Sequence, residues 1–250
     1  MANAASAGHA LRVLTYLASR VEPVAATHLA RQLDIPRSSL YHLLTVLAEH
    51  GYVTHYPHER VWGLGPAAQE LSSGYQRQTP LQRLARPLLQ RLVDSTTHNA
   101  HLAVLHGRDV LYVIEERAKG RPLLVTDVGV RLPAPITASG LAMLAALPTR
   151  QVTALYPGPS AMVGGDQGGP ATPSALRRLL VDVRQRGHAI EEGTVTPGLS
   201  SVAHAVLDRT DHPVAAVAIT YPTDEVDQEA RDLLVARSGA TARTLTQRIR

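Results

Sequence analysis

VAATHLARQLDIPRSSLYHLLTVLAEHGYVTHYPHERVWGLG, residues 24–65, reads as helix, tight turn, second helix and short β-hairpin. That order is a winged helix-turn-helix, which places one helix in the major groove of DNA. The helix expected over 25–33 carries Leu29, Ala30 and Leu33 on one face. Asp34-Ile35-Pro36 is the turn, and Pro36 suits the first position of a helix, where its missing N–H is unused. The following helix, 36–50, has Leu40, Leu43, Leu44 and Leu47 spaced i, i+3, i+4, i+7 for burial. Its other face presents Ser38, Tyr41, His42 and Thr45, with Arg37 and Ser39 near the start. Hydrogen-bonding side chains at that end meet base edges and phosphates. Gly51 closes the helix. Strands over 52–55 and 61–64 form the wing, with Pro57-His58-Glu59-Arg60 at its tip and Arg60 as a candidate groove or phosphate contact.

Outward from this stretch, a helix is expected over 8–20, with Leu11, Leu14, Tyr16, Leu17 and Ala18 as its apolar stripe, ended by Glu22-Pro23. A plain helical bundle is the competing reading; the hairpin at the right distance argues against it. Residues 1–78 hold six Arg against five acidic residues, plus six of the twelve His. A positive patch must therefore come from placement rather than bulk charge.

With 250 residues the chain is long enough for two domains, and 44% hydrophobic content supports folded cores. It has no uninterrupted apolar run of about 18 residues, so no membrane partner is expected. The N-terminus does not read as a secretory signal, which makes the cytoplasm the simplest expected location. Cysteine is absent, excluding disulfides, cysteine nucleophiles and thiolate zinc sites within this chain.

Beyond the DNA-reading module, 66–78 reads as a linker helix and 81–97 as another, with Leu84, Leu88 and Leu92 four apart. Strands are expected over 100–105 and 110–116 around a His106-Gly107-Arg108-Asp109 turn, and over 123–128. A helix over 137–146 follows, then a Gly/Pro-rich mobile loop over 158–173 and a helix over 174–187. Strands over 188–192, 200–207 and 214–221 precede a final helix, 224–248, acidic at its start and basic at its end. The sum is an α+β domain with a central antiparallel sheet. The expected divisions are a winged helix-turn-helix DNA-binding domain over 1–65, a linker helix over 66–79 and a ligand-binding domain over 80–250.

Three segments in order carry a family resemblance: LARQLDIPRSSLYHLLTVLAEHGYV (29–53), VGVRLPAPITASGLAMLAALP (128–148) and RGHAIEEGTVTPGLSSVAHAVLDRTDHPVAAVAIT (186–220). Through them nearly the whole chain resembles the IclR family of bacterial transcription regulators. The resemblance implies a GAF-like effector domain that binds a small molecule. It also implies double-stranded operator DNA as a partner, and homodimers or tetramers. Family effectors are commonly small carboxylates or aromatic catabolites. By position, the family's effector pocket falls on Ala138, Ser139, Glu191, Ser201, Ala218 and Thr220, with Leu124 and Leu132 as an apolar wall. The chain departs from the family in carrying Ser201 where many members have Cys, and Leu141 where Lys is common. Arg121 stands where an apolar wall residue is expected. Glu191 and Glu192 are adjacent, so on a strand only one can face inward. A buried carboxylate disfavours a fully anionic ligand, which points to a neutral acyl derivative or to an acid held by Arg121.

Catalysis is the reading from another class: a metabolite-binding or enzymatic domain with a vestigial DNA head. The sequence has no G-x-S-x-G elbow, P-loop or G-x-G-x-x-G. His98 and His101 read as structural or surface residues on a strand entry rather than a metal pair, and His204 as core or pocket lining. No enzyme activity, cofactor or metal is expected.

Overall fold

The computed structural model describes residues 2–20, 22–71, 80–121, 124–162 and 168–250. It divides into two compact units, 1–79 and 80–250. The helix over residues 66–71 (α4) is the part of the expected linker that is described; 72–79 lie outside the described residues.

In the first unit the order is α1 (Ala2–Ala18), β1 (Val24–Ala25), α2 (Ala26–Leu33), α3 (Arg37–Glu49), β2 (Val53–Tyr56) and β3 (Val61–Leu64). Leu29, Leu40 and Leu44 are fully buried and meet Val13, Leu17, Val53 and Trp62 in one core. Each such aliphatic side chain contributes about 1.5–3 kcal/mol on removal from water. The stripe of α1 differs from expectation. Val13 is fully buried and Leu11 is 65% exposed, because two positions along a helix of 3.6 residues per turn lie on nearly opposite sides. Pro36 precedes α3 rather than opening it. The wing has a third strand that the sequence reading missed: β1 pairs with β3 at Val24↔Trp62 and Ala25↔Val61. Two residues are too short to show an alternation. Across the hairpin, His55 stacks on its partner Trp62 with ring centroids 4.3 Å apart.

The second unit runs α5 (Pro80–Thr96), β4 (Asn99–His106), β5 (Asp109–Glu116), β6 (Arg131–Pro133), a 3-10 turn (Ala134–Ile136), α6 (Ala138–Ala146), α7 (Thr149–Leu155), a second 3-10 turn (Pro159–Ala161), α8 (Pro173–Arg186), β7 (Ala189–Glu192), β8 (Leu199–Leu207), β9 (Pro213–Pro222) and α9 (Gln228–Ile249). Its six strands form one antiparallel sheet in the order β6-β5-β4-β9-β8-β7. Alternation along β9 sends Val217, Ile219 and Tyr221 into a core with α5 and α9. Ala216 and Ala218 turn to the other face, against α6 and α8. On that face Ala103, Ala189, Ala203, Ala216 and Ala218 form an alanine floor. The small side chains let α6 lie close enough to be buried along its length, from Ala138 to Ala145.

Several boundaries differ from the sequence reading. Residues 124–128 form no strand; the sheet edge is β6 instead, paired with β5 at Val110↔Leu132. Val125 and Val128 are 53% and 48% exposed, and residues 124–128 pair with no strand. The short helix α7 was unforeseen. The start of α9 is set by Asp227, whose side chain accepts the Ala230 N–H; Asp224 and Glu225 precede the helix. Of the expected mobile loop over 158–173, residues 163–167 lie outside the described residues. Among the described residues, no helix is long and apolar enough to cross a membrane.

Candidate functional site

Helix α3 buries Leu40, Leu44 and Leu47. The same periodicity leaves Arg37, Ser38, Ser39, Tyr41, His42 and Thr45 exposed. All six therefore share the outward side of one helix. Thr45 Oγ1 donates to the Tyr41 carbonyl at 3.0 Å, so its lone pairs rather than its proton face outward. Arg60 is exposed at the hairpin tip in a left-handed conformation, φ 57°. The sequence reading missed a neighbour of this face. Thr27, His28 and Arg31 of α2 line one open groove with Arg37. His28 bonds the Tyr16 hydroxyl at 3.0 Å, and Arg20 donates to that hydroxyl at 2.8 Å. The i, i+1, i+4 spacing of Thr27, His28 and Arg31, with His28 and Arg31 three apart, was the available signal.

In the second unit a cavity opens between the sheet, the start of α6 and two connecting segments. Seven residues singled out from the sequence line it: Leu124, Ala138, Ser139, Glu191, Ser201, Ala218 and Thr220. Sheet register brings the polar ones together. Glu191 pairs with Ser201, Ser201 with Thr220 and Thr220 with Asn99, giving one row across four strands. The Ser201 and Thr220 hydroxyls are 3.0 Å apart. Glu191 is the carboxylate that faces inward, while Glu192 pairs outside with Arg231 at 2.9 Å.

Glu191 Oε1 accepts the N–H groups of Thr194 at 2.5 Å and Val195 at 3.0 Å, which also pins the 193–199 turn. Burial raises its pKa above the usual carboxylate range, against the lowering effect of those two amides and of the Ser201 hydroxyl. The N-terminus of α6 also borders the cavity. Thr137 caps it, its hydroxyl accepting the Gly140 N–H at 2.9 Å, which leaves the amides of Ala138 and Ser139 toward the cavity. Gly140 has no room for a side chain, since a Cβ there would stand 2.1 Å from the Ala134 carbonyl oxygen. Tyr112 also lines the cavity, and burial, followed by Glu191, raises its phenol well above its usual pKa.

Two residues named from the sequence lie elsewhere. Arg121 donates to the Thr97 carbonyl at 3.1 Å and pairs with Glu225 at 2.5 Å, so it holds the sheet end to the segment before α9. Leu132 sits on the edge strand β6, packed on the core beside α6 rather than lining the cavity. His204 likewise turns away, its Nδ1 3.0 Å from the Ser238 hydroxyl on α9. Conversely, His101 is a cavity residue, as are Thr126, Thr137, Val195, Thr196 and Leu199. His101, expected as structural or surface, is buried and bonded to Thr126 and also lines the cavity; its neighbours across the sheet, Ala218 and Glu115, are distant in sequence. The cavity is tight. The space open to the centre of a water-sized sphere is about 20 Å³, close to what one water needs.

Comparison with known proteins bears on both units. The family model described as IclR helix-turn-helix domain matches residues 6–57. The one described as bacterial transcriptional regulator IclR C-terminal matches residues 74–247. The acetate operon repressor of Salmonella typhimurium is 26% identical, over 88% of this chain and 80% of that protein. A crystal structure of a putative IclR-type regulator from Silicibacter sp. TM1040 superposes with TM-score 0.86 at 24% identity, covering 98% of this chain and 96% of that one. A homologue from Microbacterium hydrocarbonoxydans, solved in complex with 4-hydroxybenzoate, superposes with TM-score 0.78 at 21% identity, covering 97% and 99%.

Proposed function

We propose, from the premise that this chain belongs to the IclR family of bacterial transcription regulators, that it controls catabolic genes in response to a small aromatic acid or its neutral acyl derivative. The chain is a transcription regulator with a helix-turn-helix DNA-binding domain and an effector domain, not an enzyme. The observation that carries the finer reading is the cavity's mixed polar lining. The start of α6, whose first amides have no partner within the helix, suits a carboxylate or carbonyl oxygen. Glu191 and the Ser201–Thr220 hydroxyl pair suit a ligand hydroxyl or amide N–H. A buried carboxylate with a raised pKa disfavours a second negative charge, so a singly charged or neutral ligand fits better than a dianion. That the Microbacterium homologue binds 4-hydroxybenzoate, which has one acidic and one hydroxyl end, supports the same choice.

Arg37, Ser38, Ser39, Tyr41, His42, Thr45 and Arg60 contact the operator in this reading, with two copies of the chain meeting two half-sites as a homodimer or tetramer. Regulation requires the effector to favour one arrangement of the DNA-binding domains over another; typical coupling is about 1–3 kcal/mol. A mobility-shift titration on DNA upstream of its own gene, with and without a panel of aromatic acids and amides, tests this. Ser201→Leu is expected to abolish the response while leaving DNA affinity intact. A normal response in that variant sinks the assignment of the cavity.

A further inference from the structure

The cavity walls are not equally secured. Ser201, Ala218 and Thr220 stand on paired central strands. The 193–199 turn is held by Glu191, by Gly193 N–H to the Leu199 carbonyl at 2.8 Å, and by Thr223 N–H to the Gly198 carbonyl at 3.0 Å. The remaining wall, which holds Leu124 and Thr126, has no helix or strand. Its far end is fastened, with Gly129 N–H donating to the Tyr112 carbonyl at 2.8 Å. Among the described residues, the backbone of 124–128 makes a single backbone–backbone bond, from Val130 N–H to the Asp127 carbonyl. Two side chains tie it to the sheet instead. Thr126 Oγ1 lies 3.0 Å from His101 Nε2, with both residues buried. Asp127 reaches Arg117 at 3.3 Å on the surface, where an ion pair holds weakly.

His101 is placed to do more than fill space. Its Nε2 lies 3.8 Å from Glu115 Oε1, a buried carboxylate oxygen with no hydrogen-bond partner; Glu115 Oε2 is taken by Arg117 at 2.7 Å. The ring nitrogen and the Thr126 hydroxyl can each donate or accept, so either tautomer keeps the bond. An aromatic acid cannot enter a space of about 20 Å³ unless a wall moves.

We infer that His101 is an effector-contacting residue, and that its bond to Thr126 latches residues 124–128 across the cavity until a polar atom of the ligand takes the place of the Thr126 hydroxyl at Nε2. The inference rests on reading this cavity as the effector site. The latch itself can be measured without any ligand.

Thr126→Val keeps the shape and removes the hydroxyl. One neutral hydrogen bond sets the scale, so amide hydrogen exchange over 124–130 in the full-length protein is expected to quicken about two- to tenfold, with β8 and β9 unchanged. The affinity for benzoate, 4-hydroxybenzoate or benzamide is expected to tighten by the same factor, because the open form is more populated. His101→Gln also frees the segment but removes the contact, so exchange quickens while affinity falls. Opposite affinity changes from the two sides of one bond separate this role from a merely structural wall, which both variants would weaken alike. Unchanged exchange in Thr126→Val overturns the latch. Faster exchange with unaltered affinity overturns the gate alone. Binding of none of the three compounds to either form overturns the effector reading, and the gate with it. Thr126→Val, which touches no charged group, decides the matter where His101→Gln fails to fold.

Discussion

His204 stands on β8 among groups that disfavour its charged form. Burial is the largest influence, followed by His188 and Arg243, and together they bring its pKa down to about 4 from 6.5. His98 and His188 are lowered as well, each chiefly by burial. A base whose folded pKa lies below its unfolded one binds more protons when unfolded, so stability rises with pH through that interval. The stabilisation is complete above about pH 6.5 and is lost as pH falls toward 4. Urea midpoints measured from pH 7 to 4 are expected to decline, and His204→Gln, which cannot titrate, to flatten the decline. An equal slope in that variant would remove His204 from the account. Little of this was legible in the sequence, where His204 reads as core or pocket lining. Its partner Ser238 is 34 positions away, on a helix whose seating depends on the whole sheet. The inward choice of Glu191 over Glu192 was legible only as an alternation; the register Glu191↔Ser201 decided which one faces the cavity.

At the scale of the element, α3 was the most legible part of the chain, because burial of Leu40, Leu44 and Leu47 leaves its polar face no alternative but solvent. Arg37, exposed at its first turn, is expected to contact a phosphate. Arg37→Ala should weaken operator binding at every sequence alike and reduce the slope of log affinity against log salt by about one. Mobility shifts at a series of salt concentrations check it, and an unchanged slope counts against a phosphate role. Strands were harder to read. Residues 123–128 have the apolar composition of a strand, yet 124–128 are not one, whereas Arg131–Pro133 pairs with β5 despite its Pro. A strand needs a neighbour as well as a composition, and the neighbour is set by topology. Leu124 and Thr126 of that unpaired segment line the cavity, a placement that strand composition does not reveal.

Over the whole molecule, the chain divides into two compact units, 1–79 and 80–250, each with buried apolar residues of its own. Two separable unfolding transitions are therefore expected in calorimetry. Leu44→Ala, at a fully buried position, should cost about 2–5 kcal/mol and lower only one of them. Gly140→Ala, forced against the Ala134 carbonyl, should lower only the other. A joint shift of both transitions would mean that the units unfold together. The sequence by itself determined the DNA-reading module, the order of most elements and the kinds of side chain available for a site. Those features depend on local periodicity and on residues such as Pro and Gly, whose backbone preferences act within a few positions. Tertiary structure alone decided that His101, Thr126 and Tyr112 join Glu191, Ser201 and Thr220, and that Arg121 and Leu132 do not. A cavity forms where strands distant in sequence come into register, and local preferences do not encode that register.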